Sequence, residues 1–118
     1  MGNKTLICLY GDDIAPRFDL TTEVLIMSFG PDGSIEEERN LVLPQASPEK
    51  LCHMILTEDV KTVVCGGIEE EYFQYLTWKR VRVLDSVIGP HSRVLERLVS
   101  GTLAAGEILW KRGRDDGS

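Results

Sequence analysis

At 118 residues, with 13 Lys and Arg against 19 Asp and Glu, the chain is the length of one domain and carries a net charge of −6. A domain of this size buries roughly 65% of its unfolded surface, and an acidic surface repels phosphate backbones at long range, which excludes general nucleic-acid affinity. The leading apolar run, Thr5 to Tyr10, is far too short to cross a bilayer, so the expectation is a cytoplasmic protein with no membrane or nucleic-acid partner.

Residues 4–10 are mostly apolar and too short for a helix, which predicts a buried strand. Gly11-Asp12-Asp13 reads as a turn, and Pro16 keeps Ala15 away from helical angles. A second strand is expected over 22–29, closed by the turn-forming Gly30-Pro31-Asp32-Gly33-Ser34. The third, 34–43, carries Glu37 and Arg39, the mark of an exposed face or a protected edge. Short turns between the three predict an antiparallel meander.

Ser47-Pro48 then offers an N-cap serine and a first-turn proline. Leu51, Cys52, Ile55 and Leu56 form one apolar stripe on a helix over 48–58. His53, beside that stripe, reads as a surface residue. A fourth strand, 61–65, runs into Gly66-Gly67, and a helix over 68–78 should bury Tyr72, Phe73, Leu76 and Trp78. A fifth strand, 81–85, is followed by Gly89-Pro90 and a helix over 90–100 that should bury Val94, Leu95, Leu98 and Val99, with Gly101 as its left-handed cap. Residues 1–110 form a single domain in this reading. Residues 111–118, with Lys111-Arg112-Gly113-Arg114 diluted by Asp115-Asp116, are expected to be a mobile solvated tail.

Strand, glycine turn, helix, strand, glycine turn, helix is the sequence form of a unit with parallel strands. The first, fourth and fifth strands should then be parallel neighbours, joined through a right-handed crossover. Three antiparallel strands followed by α-β-α-β-α resembles the ribonuclease H-like topology: an α/β fold with a mixed five-stranded sheet and helices on both faces. In such sheets the loops at the carboxyl ends of parallel strands form the usual ligand crevice.

The three cysteines, Cys8, Cys52 and Cys65, are widely spaced and contain no CxxC, so neither a closed zinc site nor a disulfide framework is indicated. Cys8 and Cys52 read as small buried hydrophobes. Cys65 directly precedes the double glycine, at the strand end that should face the crevice.

Three segments carry a more specific resemblance: Ile14-Ala15-Pro16-Arg17-Phe18-Asp19, Val63-Val64-Cys65-Gly66-Gly67-Ile68, and Val87-Ile88-Gly89-Pro90-His91-Ser92 running on to Gly101-Thr102-Leu103. In their order and spacing they are similar to the dinitrogenase iron–molybdenum cofactor biosynthesis family, small accessory proteins that carry or insert nitrogenase metal-cluster precursors. The resemblance implies a non-enzymatic carrier whose cargo is an iron–sulfur or iron–molybdenum cluster precursor, and whose partner is a metal-cluster donor or acceptor protein. A relative without a nitrogen-fixation role fits it equally.

The departures matter as well. Arg17 stands where the family commonly has histidine, and Asp19 where it has glycine. A guanidinium cannot ligate iron, because it stays protonated, but it can hold an anion by charge-assisted hydrogen bonds. Glu69-Glu70-Glu71 follow the double glycine and neutralise the positive field of a helix start, which biases the rim against highly charged anions.

The expected site is therefore lined by Arg17 and Phe18, by Cys65, Gly66 and Gly67, and by Gly89, Pro90 and His91, with Cys65 and His91 as the soft ligand pair. The rival reading is an interaction or regulatory module with a vestigial crevice. Metal-dependent hydrolysis would have to use Asp12, Asp13, Asp19 and Glu23. Ribonuclease H-type nucleases hold their metal ions with a carboxylate inside the first strand, and residues 4–10 contain none. No Walker loop, nucleophile elbow or GxGxxG is present.

Overall fold

The structure, a computed structural model, describes residues 3–109. Its strands are β1 (Asn3–Tyr10), β2 (Asp13–Ile14), β3 (Glu23–Phe29), β4 (Ile35–Val42), β5 (Thr62–Val64) and β6 (Arg82–Leu84). Its helices are α1 (Pro48–Thr57), α2 (Glu70–Trp78) and α3 (His91–Ser100), with one 3-10 turn at Phe18–Leu20. The expected tail, 111–118, lies outside the described residues.

The sheet order is β4-β3-β1-β5-β6, with β2 added beside β1. β1 pairs antiparallel with β3, as β3 does with β4, while β1–β5 and β5–β6 are parallel. The parallel trio therefore lies side by side as the glycine–helix pattern implies. The sheet has six strands rather than five. Gly11, at φ +63°, turns the chain so that Leu9 faces Ile14 and Tyr10 faces Asp13. A two-residue strand is too short to leave a periodic signal.

β1 is central, and its alternating side chains feed two cores. Leu6 and Cys8 join Val24, Ile26, Val63, Leu51, Ile55 and Leu76 under α1 and α2. Ile7 and Leu9 join Leu25, Met27, Val64 and Val94 under α3. A strand covered on both faces must be apolar throughout, which is why residues 4–10 show no polar alternation. β4 is an exposed edge strand. Its charged run Glu36-Glu37-Glu38-Arg39 discourages pairing with another chain.

Ser47 caps α1 by accepting a hydrogen bond from the Lys50 amide at 3.2 Å, with Pro48 in the first turn. At the other end of that helix, Glu58 receives Arg39 Nη2 at 2.6 Å and Lys4 Nζ at 3.4 Å, tying α1 to the sheet. His53 is exposed, as expected. In α2 only Leu76 is fully buried; Tyr72 and Phe73 are half-buried, and Trp78 is 74% exposed. Trp78 lies two residues beyond Leu76, about 200° further around the helix, and faces away from the sheet. Val99 is likewise 48% exposed, whereas Val94 is buried and Leu95 and Leu98 pack at the core's margin. Gly101 closes α3 at φ +74°, the left-handed cap. Among the described residues no helix is long and apolar enough to cross a membrane.

Candidate functional site

The three segments singled out by sequence do meet at the carboxyl ends of β1, β5 and β6. They meet through their own backbones. From β2 the chain runs as a strap across the strand ends. Ala15 N–H donates to the Cys8 carbonyl at 2.8 Å, and Ile14 N–H to the Gly89 carbonyl at 2.9 Å. Further along, Gly66 N–H donates to Ala15 O at 3.0 Å and Gly67 N–H to Pro16 O at 2.7 Å. Phe18 N–H then returns a bond to the Gly67 carbonyl at 2.8 Å.

This contact explains Gly66. A Cβ there would lie 2.5 Å from the carbonyl oxygens of both Ala15 and Pro16. Its φ is not left-handed, so the requirement is close approach alone, and what approaches is the strap. Gly89 differs: its φ of +140° suits glycine, and a Cβ would lie 2.9 Å from that of Leu109.

The side chains follow from this geometry. Phe18, at the end of the strap, is fully buried in the core, its ring 6.1 Å from that of Tyr72. Arg17 is exposed and grips Asp19 with two hydrogen bonds, Nη2 to Oδ2 at 2.6 Å and Nε to Oδ1 at 3.0 Å. That carboxylate raises the Arg17 pKa still further and already partners its charge. Asp19 thus sets what Arg17 can do.

Cys65 is fully buried, and desolvation by that burial pushes its thiol well above the usual range, with Cys8 and Asp85 adding to the rise. Cys8, also fully buried, is pushed up to about 12 by burial, although a Thr21 hydrogen bond opposes the rise. Burial raises Cys52 to about 11. All three thiols are free.

His91, half-buried beside half-buried Pro90, closes the turn between β1 and β2. Its backbone N–H donates to the Asp12 carbonyl at 2.8 Å, and Nδ1 lies 3.0 Å from the same oxygen. A carbonyl only accepts, so Nδ1 carries the hydrogen and Nε2 is the nitrogen left for another partner.

An iron–sulfur or iron–molybdenum cluster precursor needs several accessible thiolate or imidazole donors. Here the thiol beside the double glycine is buried and held protonated. Among the described residues, no group of three or more His, Cys, Asp or Glu is placed to hold a metal ion. In this conformation the donor set does not fit such a group.

Among the described residues, two open concavities lie elsewhere. One, of about 440 Å³, sits at the opposite end of the sheet between the β3–β4 turn and the end of α3. The other, of about 390 Å³, runs between α1 and α2 and is lined by Glu49, Leu56, Glu71, Tyr72 and Tyr75 among others. No motif in the sequence marks this second groove. Its signal in the sequence is the i, i+3 spacing of Tyr72 and Tyr75 on α2.

No protein-family model and no curated protein matches the sequence. Solved structures do. The chain is similar to the crystal structure of the protein PH0822, at 17% identity and a TM-score of 0.77, over 86% of this chain and 93% of that one. It is similar to the crystal structure of a candidate dinitrogenase from Methanocaldococcus jannaschii, at 18% identity and a TM-score of 0.71, over 88% and 94% of the two chains. An NMR structure of a Thermotoga protein, described as a candidate NifB protein of the DUF35 family, aligns at 14% identity and a TM-score of 0.66, over 93% and 97%. At these identities the likeness establishes the fold.

Proposed function

We propose that this chain is a non-enzymatic binding protein of the nitrogenase-related accessory type, and that it acts by contact with another protein rather than by cradling a cluster. The nitrogenase theme rests on the names of the solved structures that share its fold and on the three sequence segments. The observation that carries the contact reading is the strap. Backbone bonds from Ala15, Pro16 and Phe18 to Gly66-Gly67 fill the crevice that a ligand would enter. We also assign the sheet to the ribonuclease H-like topology; the order β4-β3-β1-β5-β6, antiparallel and then parallel, supports that assignment.

The second reading is the cluster carrier, with Cys65 and His91 as ligands and a cluster donor or acceptor protein as partner. In its favour, both residues adjoin strap contacts: Cys65 precedes Gly66, and His91 holds Asp12. Lifting the strap would change the surroundings of both.

One experiment separates the two. The protein is incubated anaerobically with ferrous iron and sulfide, desalted, and assayed for iron and for visible charge-transfer absorption. Contact-only function predicts no retained iron. Stoichiometric iron and colour that disappear in a folded Cys65→Ala/His91→Ala variant refute it and establish the carrier.

A further inference from the structure

The groove between α1 and α2 has a chemistry of its own. It is lined by Cys52 and Leu56, by Tyr72 and Tyr75, by His53, and by the carboxylates of Glu49 on α1 and Glu71 on α2. The Tyr72 hydroxyl donates to Glu49 Oε2 at 3.0 Å, bridging the helices and fixing that ring. Trp78, one turn on from Tyr75 and outside the groove's lining, is 74% exposed. Lys79 Nζ lies 4.9 Å from the Trp78 ring centroid and 5.8 Å from that of Tyr75, so these ring faces already accept a cation.

Aromatic faces flanked by carboxylates are the usual recognition chemistry for an ammonium or guanidinium group. Tyrosine and tryptophan are also the side chains most often found at the energetic centres of protein interfaces. A net charge of −6 would steer a basic partner toward the whole molecule.

We propose that this groove docks a basic segment of a partner protein. One lysine or arginine of that segment lies over the tyrosines between Glu49 and Glu71, and an apolar side chain lies against Leu56. The inference stands on this groove alone and holds under either reading of the strapped end.

The test uses the full chain and a fluorescein-labelled synthetic peptide carrying arginine and leucine at helical spacing, with a glutamate-for-arginine peptide as control. Fluorescence anisotropy should show saturable, salt-sensitive binding of the arginine peptide and none of the glutamate peptide. Tyr75→Ala and Glu49→Gln/Glu71→Gln should each weaken it about tenfold, near 1.4 kcal/mol. Tyr75 is partly exposed and glutamine keeps the Tyr72 bond, so both variants should fold, as circular dichroism would verify. Lack of saturable binding, equal binding of the control peptide, or unchanged affinity in both folded variants would each overturn the proposal. So would a tenfold gain on deleting residues 111–118, which would assign the groove to the chain's own Lys111, Arg112 and Arg114.

Discussion

Gly66→Ala is the sharpest perturbation of the strapped end. The added methyl would lie 2.5 Å from two oxygens, Ala15 O and Pro16 O, and both belong to backbone rather than to a side chain that could swing aside. Relief requires the strap to move. Forcing a methyl into a packed site costs about 1–3 kcal/mol. Lifting the strap instead loses the Gly66–Ala15, Gly67–Pro16 and Phe18–Gly67 bonds, each worth about 0.5–1.5 kcal/mol net. The first route costs about 1–3 kcal/mol and the second about 1.5–4.5 kcal/mol, so the expected loss is at least about 1 kcal/mol. Phe18, anchored in the core, resists the second route.

Gly67→Ala is the matched control: its Cβ would lie 3.5 Å from Pro16 O, an ordinary contact. It should lose less than about 1 kcal/mol. Urea unfolding would read both as shifts in midpoint at constant slope. Amide exchange at Phe18 and Gly67 would report whether the strap has lifted. Equal losses in the two variants, or a Gly66→Ala loss below about 0.5 kcal/mol, would refute the close-approach argument.

Phe18→Ala should destabilise by about 3–5 kcal/mol in the same assay, because it empties a fully buried site; a loss typical of a surface residue would mean that the strap is not anchored. Ser47→Ala removes the N-cap of α1 and should lower the unfolding free energy by about 1 kcal/mol, with Ser47→Asp restoring most of it. Cys65 and Cys8 should resist a disulfide reagent at pH 8 in the native protein and react at once in denaturant, since burial keeps both as thiols; rapid native labelling of Cys65 would contradict its burial. Arg39 first, then Lys4, hold the Glu58 carboxyl below its ordinary 4.5. Their stabilisation is complete above that value and is lost as pH falls through the lower, folded-state one. Glu58→Gln should therefore flatten the fall of the urea midpoint below pH 4.5; an unchanged acid limb would refute the linkage.

Much of the candidate site was legible, but its chemistry was not. Gly66 and Gly89 were placed at the correct end of the sheet because a glycine after an apolar run marks a strand end. Nothing in the letters distinguishes a glycine that admits a ligand from one that admits the chain's own carbonyls. Arg17 read as a free cation, yet Asp19 two residues on takes it up. Phe18 reads as a crevice lining from its place in the turn, whereas its ring anchors the strap in the core. Trp78 reads as a candidate for the buried side of α2, whereas its angular position relative to Leu76 turns it outward.

By itself the sequence determined the order and approximate bounds of the main elements, the antiparallel meander, the parallel trio and the caps at Ser47 and Gly101. Those features depend on local quantities: the period of apolar residues, the capping side chain at Ser47, and the turn residues from Gly30 to Ser34. Tertiary structure alone decided that β2 exists, that residues 15–18 close over Gly66-Gly67, that Cys65 is sealed beneath them, and that α1 and α2 leave an acidic, tyrosine-lined groove. Those outcomes depend on contacts between segments about 50 residues apart in the strap and 23 apart at the Tyr72–Glu49 bridge. Such contacts are set by how two packed surfaces meet, and a backbone carbonyl that fills a crevice has no residue type of its own to announce it.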